Sequence, residues 1–312
     1  MAIEGLRRHV HRSRLRLAGQ ASQGMAVACG TRAMRTDSPT ATICRMNGAG
    51  YRVARPSGRR SAVSMRPCPN ERNALNDALC AALVQACEQA AHDPGARVVV
   101  LCAAGPAFCA GGDVKSMAAP AAAVQNKGAQ RFREMKHFMT AAKLLNEMPK
   151  PTVALVHGAA AGAGLSLALA CDFRIGTPNA KLTTAFAKVG LSGDYGGTYF
   201  LQRIVGPAKA RELYLLSPVL SGREALELGL VTRVYPEAEF EAEAAAFVRA
   251  LASGPTTTYG FIKDNLNENL TCSFDDALDG EIHRHLRCKD TADYREAICA
   301  FAEKRAPVFR GH

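Results

Sequence analysis

The 312-residue chain has no run of eighteen apolar residues, which excludes a membrane-spanning helix on sequence grounds. Its eleven cysteines include no C-x-x-C pair, and several, such as Cys80, Cys87 and Cys102, sit among apolar neighbours. An odd count without paired spacing excludes a disulfide framework and a zinc site. It points instead to buried free thiols in a reducing compartment, with no metal expected. Residues 1–70 contain no lysine and only two acids, Glu4 and Asp37, against 13 arginines. That surplus equals the chain's whole formal charge of +11, so residues 71–312 are neutral. The core therefore offers no net basic charge for nucleic acid, and no nucleic-acid partner is expected. No apolar stretch follows the early arginines, so no secretory signal is expected. A cytoplasmic location is expected, or an organellar matrix if residues 1–65 act as a transit peptide.

What the chain does have is a central stretch, residues 152–172. The apolar run Val153 to Val156 reads as a buried strand, His157 to Gly164 as a small-residue turn, and Leu165 to Ala170 as a buried helix. A strand, a turn without side chains and a helix start bring backbone close to a ligand and aim free N–H groups at it. Such a site suits an anion, either a permanent phosphate or a transient oxyanion. A dinucleotide fingerprint fails because Leu167 stands where the third glycine is required, and a phosphate loop fails for want of a following lysine. Gly164-Leu165-Ser166-Leu167-Ala168 approaches a nucleophile elbow, but Ser166 lies well beyond the strand end where the nucleophile belongs. Taken alone, the stretch also fits a helix packed tightly on a strand.

The rest of the chain divides into an Arg-rich segment 1–65, a core 66–255 and a helical tail 256–312. Residues 1–65 show neither helical nor strand period, and no stable fold of their own is expected there. From Pro69 the pattern changes. Asn73 to Asn76 opens a helix with Leu75, Leu79, Leu83, Ala86 and Ala90 on one face. Val98 to Leu101 is a buried strand. A second strand-to-turn element follows at Phe108 to Asp113. An amphipathic helix is predicted around 132–145 and a strand at Phe173 to Ile175, with helices at 198–205, 207–216, 222–228 and 237–252. Thr256 onward is helical again.

Two strand-to-turn elements, each offering a backbone N–H, suggest a two-pronged oxyanion hole. Five stretches carry a resemblance to the crotonase (enoyl-CoA hydratase/isomerase) superfamily over residues 69–312. They are Ala107 to Asp113, His157 to Arg174, Asp194 to Thr198, Leu220 to Ala225 with Gly229 to Val231, and Phe301-x-x-Lys304-Arg305. The resemblance implies an α/β spiral of ββα units with a C-terminal helical trimerisation region. It also implies an acyl-CoA thioester substrate, no separate cofactor, and a homotrimer or dimer of trimers. By position it assigns the oxyanion donors to the N–H groups of Gly112 and Ala163, and CoA contacts to Ala110, Phe301 and Lys304. The acyl pocket would draw on Val114, Met117, Phe138, Phe186 and Leu191.

The departures from the family pattern are informative. Its hydratases carry two glutamates that handle water, and here those positions hold Ser166 and Phe186. Asp194 coincides with the single acid of the family's Δ3,Δ2-enoyl-CoA and ring-epoxide phenylacetyl-CoA isomerases, and Ala185 to Leu191 and Ala292 to Glu296 resemble the latter. A lone carboxylate can take a proton at C2 and return it at C4, with Phe186, Val189 and Leu191 expected as an apolar wall that raises its pKa. An isomerase is thus expected. Hydration or thioester hydrolysis on the same site is the alternative, and a non-catalytic binding protein is the alternative of another class. Residues 40–68 show no alternating strand pair where the family begins with a β-hairpin.

Overall fold

The computed structural model describes residues 41–47, 50–54, 72–113 and 128–312. A six-stranded sheet runs through them in the order β2-β1-β3-β4-β6-β9. Its strands are β1 (Ala41–Asn47), β2 (Gly50–Ala54), β3 (Val98–Ala103), β4 (Thr152–Val156), β6 (Phe173–Gly176) and β9 (Arg233–Val234). Only the β1–β2 pair is antiparallel. The near-continuous apolar run of β3 follows from burial on both faces. Val99 and Leu101 point into one core cluster with Ala154 and Val156, while Val98 and Val100 point into another with Val153 and Leu155.

Helices close both faces. On the first lie α1 (Asp77–His92), through Leu79, Leu83, Ala86 and Ala90, and α2 (Gly128–Glu147). On the second lies the helix Glu237–Ala252 (α6, below), through Phe240, Ala244 and Val248. The predicted helix start at Asn73 moves one turn later. Arg72 and Asn73 have φ of 49° and 57°, which a right-handed helix cannot accommodate, and Asn76 caps α1 by accepting from Leu79 N–H at 2.9 Å. Asn73 staples the next turn instead, donating to Ala104 O and Ala107 O at 2.9 and 2.8 Å.

The N-terminal expectation is corrected in part. β1 pairs residue for residue with β3 from Ala41↔Val98 to Met46↔Ala103, and β2 pairs back on β1. Residues 41–47 and 50–54 therefore belong to the core sheet, on the far side of the expected boundary at 65. The ladder is made by main-chain groups, so it forms at an open parallel edge without the apolar alternation that marks a strand in sequence. The remainder of the Arg-rich segment lies outside the described residues.

Beyond β4 the expected small-residue turn contains a short strand, β5 (Ala159–Ala161). With β7 (Lys181–Thr183) and β8 (Leu220–Ser221) it forms a second, three-stranded sheet. Between them lies α3 (Ala163–Leu169), buried throughout. The chain continues through α4 (Gly197–Leu216), α5 (Gly222–Glu227) and α6 (Glu237–Ala252). Gly206, at φ 79°, interrupts α4 just before Pro207, at the predicted break. The tail forms α7 (Thr256–Glu268), α8 (Phe274–Lys289) and α9 (Ala292–Ala302). Phe274, Leu278, Ile282 and Leu286 make an exposed apolar stripe along α8, beside exposed Ile262 and Leu266 of α7. Among the described residues no helix is long and apolar enough to cross a membrane.

Candidate active site

The two prongs lie side by side. Phe108 N–H donates to His157 O at 2.8 Å, Cys109 N–H to Ala159 O at 2.9 Å, and Ala161 N–H returns to Cys109 O at 2.9 Å. One pair further on, a Cβ built on Gly111 would fall 3.0 Å from Ala161 O and 3.9 Å from Gly162 Cα. α3 is pressed equally hard on the first prong. A Cβ at Gly164 would fall 2.6 Å from both Cβ and O of Cys109, so only glycine fits there.

This pairing spends many of the backbone donors, but not those of Gly112 and Ala163. Leu75 N–H donates to Gly111 O at 2.7 Å, and Asp113 N–H donates to Leu75 O at 3.1 Å. In such a parallel bridge the amide between them, that of Gly112, faces away from Leu75, and it meets no acceptor among the described residues. On the second prong Gly162 N–H is used by Thr183 O at 3.1 Å, and Gly162 offers no side-chain cap. Ala163 is then the first open amide of α3. The structure thus brings Gly112 and Ala163 onto adjacent turns, each with an uncommitted N–H.

Asp194 stands in the loop that enters α4. Tyr195, at φ 44°, pins the loop to α1 by donating its hydroxyl to Cys80 Sγ at 3.1 Å. Gly197 seats it on α3, since a Cβ there would fall 2.3 Å from Ser166 Oγ. The Oδ1 of Asp194 is buried and has no hydrogen-bond partner among the described residues. Burial alone pushes its carboxyl up to about 6. Buried polar atoms are rarely left unsatisfied, so this orphan acceptor calls for an explanation.

The predicted wall needs correction. Phe186 is buried, and its ring lies 3.7 Å from where a Gly162 Cβ would be. Val189 and Leu191, however, are 55% and 50% exposed. The turn of 3-10 helix at Ala187–Val189 swings them outward, and Leu191 N–H closes back on Phe186 O. Phe138 is half-buried against the main core cluster. Val114 and Met117 lie outside the described residues. Ala110 is exposed beside the first prong, its N–H donating to Arg72 O at 3.0 Å. Phe301 is 86% exposed and Lys304 is also exposed, both at the end of α9.

One residue of the site was invisible in the sequence. Tyr214 of α4 stacks its ring on Phe186, with centroids 5.9 Å apart and planes 2° from parallel. Its hydroxyl meets Ser166 beside Gly197, within 2.4 Å of where a Cβ would stand. Ser166 in turn donates to Gly162 O at 3.2 Å. Nothing in the local pattern of α4 marks this tyrosine; only the tertiary fold brings it to Ser166.

Other motif residues are struts. Asp172 Oδ2 accepts from Thr152 N–H at 2.7 Å and from Thr152 Oγ1 at 3.0 Å, and it pairs with Lys263 at 2.8 Å. Arg174 donates to Leu230 O and Cys171 O at 2.7 and 2.6 Å. Ser221 and Glu224 form a capping box on α5.

The chain is similar to proteins of known name. The chain is 36% identical over 246 residues to 1,2-epoxyphenylacetyl-CoA isomerase of Escherichia coli (strain K12), covering 78% of this chain and 92% of that protein. It is 31% identical over 243 residues to crotonyl-CoA hydratase of Syntrophomonas wolfei, covering 77% and 91%. The crystal structure of an enoyl-CoA hydratase from Polaromonas sp. JS666 matches with a TM-score of 0.72 at 32% identity, covering 78% of this chain and 93% of that one. The fold is therefore the crotonase-type α/β fold. The sequence profile of the enoyl-CoA hydratase/isomerase family spans residues 64–312, and the chain belongs to that family of acyl-CoA enzymes.

Proposed function

We propose that this enzyme is an acyl-CoA isomerase that moves a proton through a thioester enolate. The observation that carries the reading is Asp194, a lone buried carboxyl with an unpartnered Oδ1 and a pKa raised to about 6. The N–H groups of Gly112 and Ala163 would bind the thioester oxygen, and their bonds strengthen as negative charge develops there. Asp194 takes a proton from C2: the C2–H bond breaks, an O–H bond forms, and the electron pair enters the enolate. The same proton then passes to C4, so the double bond moves from C3=C4 to C2=C3 and the carboxylate is restored. A carboxyl with pKa near 6 suits both halves, being ionised enough to accept and acidic enough to return the proton. The two amides need no metal or flavin to polarise the carbonyl.

A ring-epoxide acyl-CoA is a second substrate class for this chemistry, supported by the similarity to the E. coli isomerase. Hydration is the alternative reaction, supported by the similarity to crotonyl-CoA hydratase. It would need a water held against Asp194, and Ser166 and Phe186 stand where the family's hydratases carry the two glutamates that handle it. At the other end of the substrate, Ala110, Phe301 and Lys304 are assigned to CoA, and the exposure of all three suits that contact. The apolar stripe of α8 supports a homotrimer or dimer of trimers. A panel of 3-enoyl-, 2-enoyl- and ring-epoxide acyl-CoAs, with products separated by chromatography, tests the reading. Isomerised thioester is expected. Hydrated or hydrolysed product as the sole outcome would overturn it.

A further inference from the structure

Tyr214 fills the gap between three pieces of the site. Its ring covers Phe186, its hydroxyl meets Ser166 in the first turns of α3, and its edge runs along both ends of the Asp194 loop. A Cβ on Gly193 would stand 3.4 Å from the Tyr214 ring and 3.6 Å from its hydroxyl, and one on Gly197 would stand 2.4 Å from that hydroxyl. The two glycines that flank Asp194 thus leave the room this phenol occupies. Cys80 of α1, Cys109 of the first prong and Tyr195 of the loop itself are the other titratable groups that feel the Asp194 charge. Among the described residues neither an arginine nor a lysine perturbs Asp194.

We infer that Tyr214 favours isomerisation over hydration by closing the α4 side of Asp194 to water. The inference rests on Asp194 being the acid–base group proposed above. A dry carboxyl exchanges its proton only with the substrate carbons. A wet one lets water add across C2=C3, its oxygen bonding to C3 and a proton ending on C2. The ring is the part that excludes water, and its stacking on Phe186 holds it in place. Tyr214 is therefore a specificity-determining residue that acts through Asp194.

The test uses the full chain with Tyr214→Ala and Tyr214→Phe, and two readouts. One is the titration of Asp194 followed by NMR of carboxyl-labelled aspartate, assigned with Asp194→Asn. The other is the ratio of isomerised to hydrated product. In Tyr214→Ala the midpoint should fall from about 6 by roughly one unit, and the ratio by about tenfold, as water reaches the carboxyl. Tyr214→Phe keeps the ring and should hold both near wild type. If the alanine variant does not fold, Tyr214→Leu carries the same expectation. A folded Ala or Leu variant with unchanged midpoint and ratio would overturn the inference. The two readings fail separately: a fully active Asp194→Asn sinks the acid–base assignment, whereas an inactive Asp194→Asn beside an unmoved Tyr214 variant sinks only this one.

Discussion

Asp172 and Asp194 are both carboxylates drawn in from solvent, and the protein treats them in opposite ways. Asp172 is tied to the Thr152 amide, the Thr152 hydroxyl and the Lys263 ammonium, and it fastens the end of α3 to β4 and α7. Asp194 has an oxygen with no partner among the described residues, and its loop is held in place by Tyr195 and Gly197 instead. A structural carboxylate is satisfied by its surroundings. A carboxylate meant to carry protons must keep a free oxygen for the substrate, and it is left destabilised in the ionised form. The contrast separates strut from acid–base group among residues that, as sequence motifs, look alike.

Exchanging the roles should have unlike consequences. Asp194→Asn keeps size but cannot accept a proton, and loss of general-base catalysis costs about 10²–10⁴ in rate. Steady-state kinetics should place that loss in kcat, with KM little changed, because the carboxylate acts on the transition state. Lys263→Met works the other way. It strips a mostly buried pair of one partner, which costs about 3 kcal/mol of stability in comparable sites. Denaturant unfolding should show that cost, while kcat of the folded fraction stays near wild type.

The stability of Asp194→Asn sharpens the contrast further. A carboxyl whose folded pKa is raised favours the folded state in its protonated form. That stability is fully present below the unfolded value near 4 and is lost as pH rises through about 6. Above pH 6 the asparagine variant should therefore melt at or above the wild-type temperature, with the gap opening between pH 4 and 6. The upper bound on the gain is about 3 kcal/mol, from a shift of roughly two units. Equal melting temperatures across that range would show that the ionised group is solvated after all. Ser166→Ala should change least, within about tenfold in kcat, since among the described residues the Ser166 hydroxyl hydrogen-bonds Tyr214 and Gly162 and no acid or base. A dead Ser166→Ala beside an active Asp194→Asn would restore the nucleophile-elbow reading.

How legible these features were in sequence follows from their physics. Helices such as α1 and α6 and the all-apolar β3 and β4 declare themselves through periodicity or continuous burial. The two prongs were readable as small-residue turns after strands, a pattern that taken alone also fits a helix packed tightly on a strand. The β1–β2 hairpin was not readable, since it is fixed by main-chain pairing to the edge of β3. The short strands β5, β7 and β8 are likewise defined by their neighbours. Val189 and Leu191 misled because an apolar residue in a loop can face either way, and here the 3-10 turn points them out. Tyr214 could not have been found, because its partners Ser166 and Phe186 come from other elements. That Asp194 Oδ1 meets no partner among the described residues is a property of the fold as a whole.

The central claim, that one buried carboxylate does the proton transfer, is tested most directly by the pH dependence of kcat/KM for isomerisation. Because Asp194 must be ionised to accept the first proton, the wild-type rate should rise with pH to a plateau, with an ascending midpoint near 6. The residual rate of Asp194→Asn should lack that limb. A wild-type profile flat from pH 5 to 8, or the same ascending limb retained in Asp194→Asn, would contradict the account.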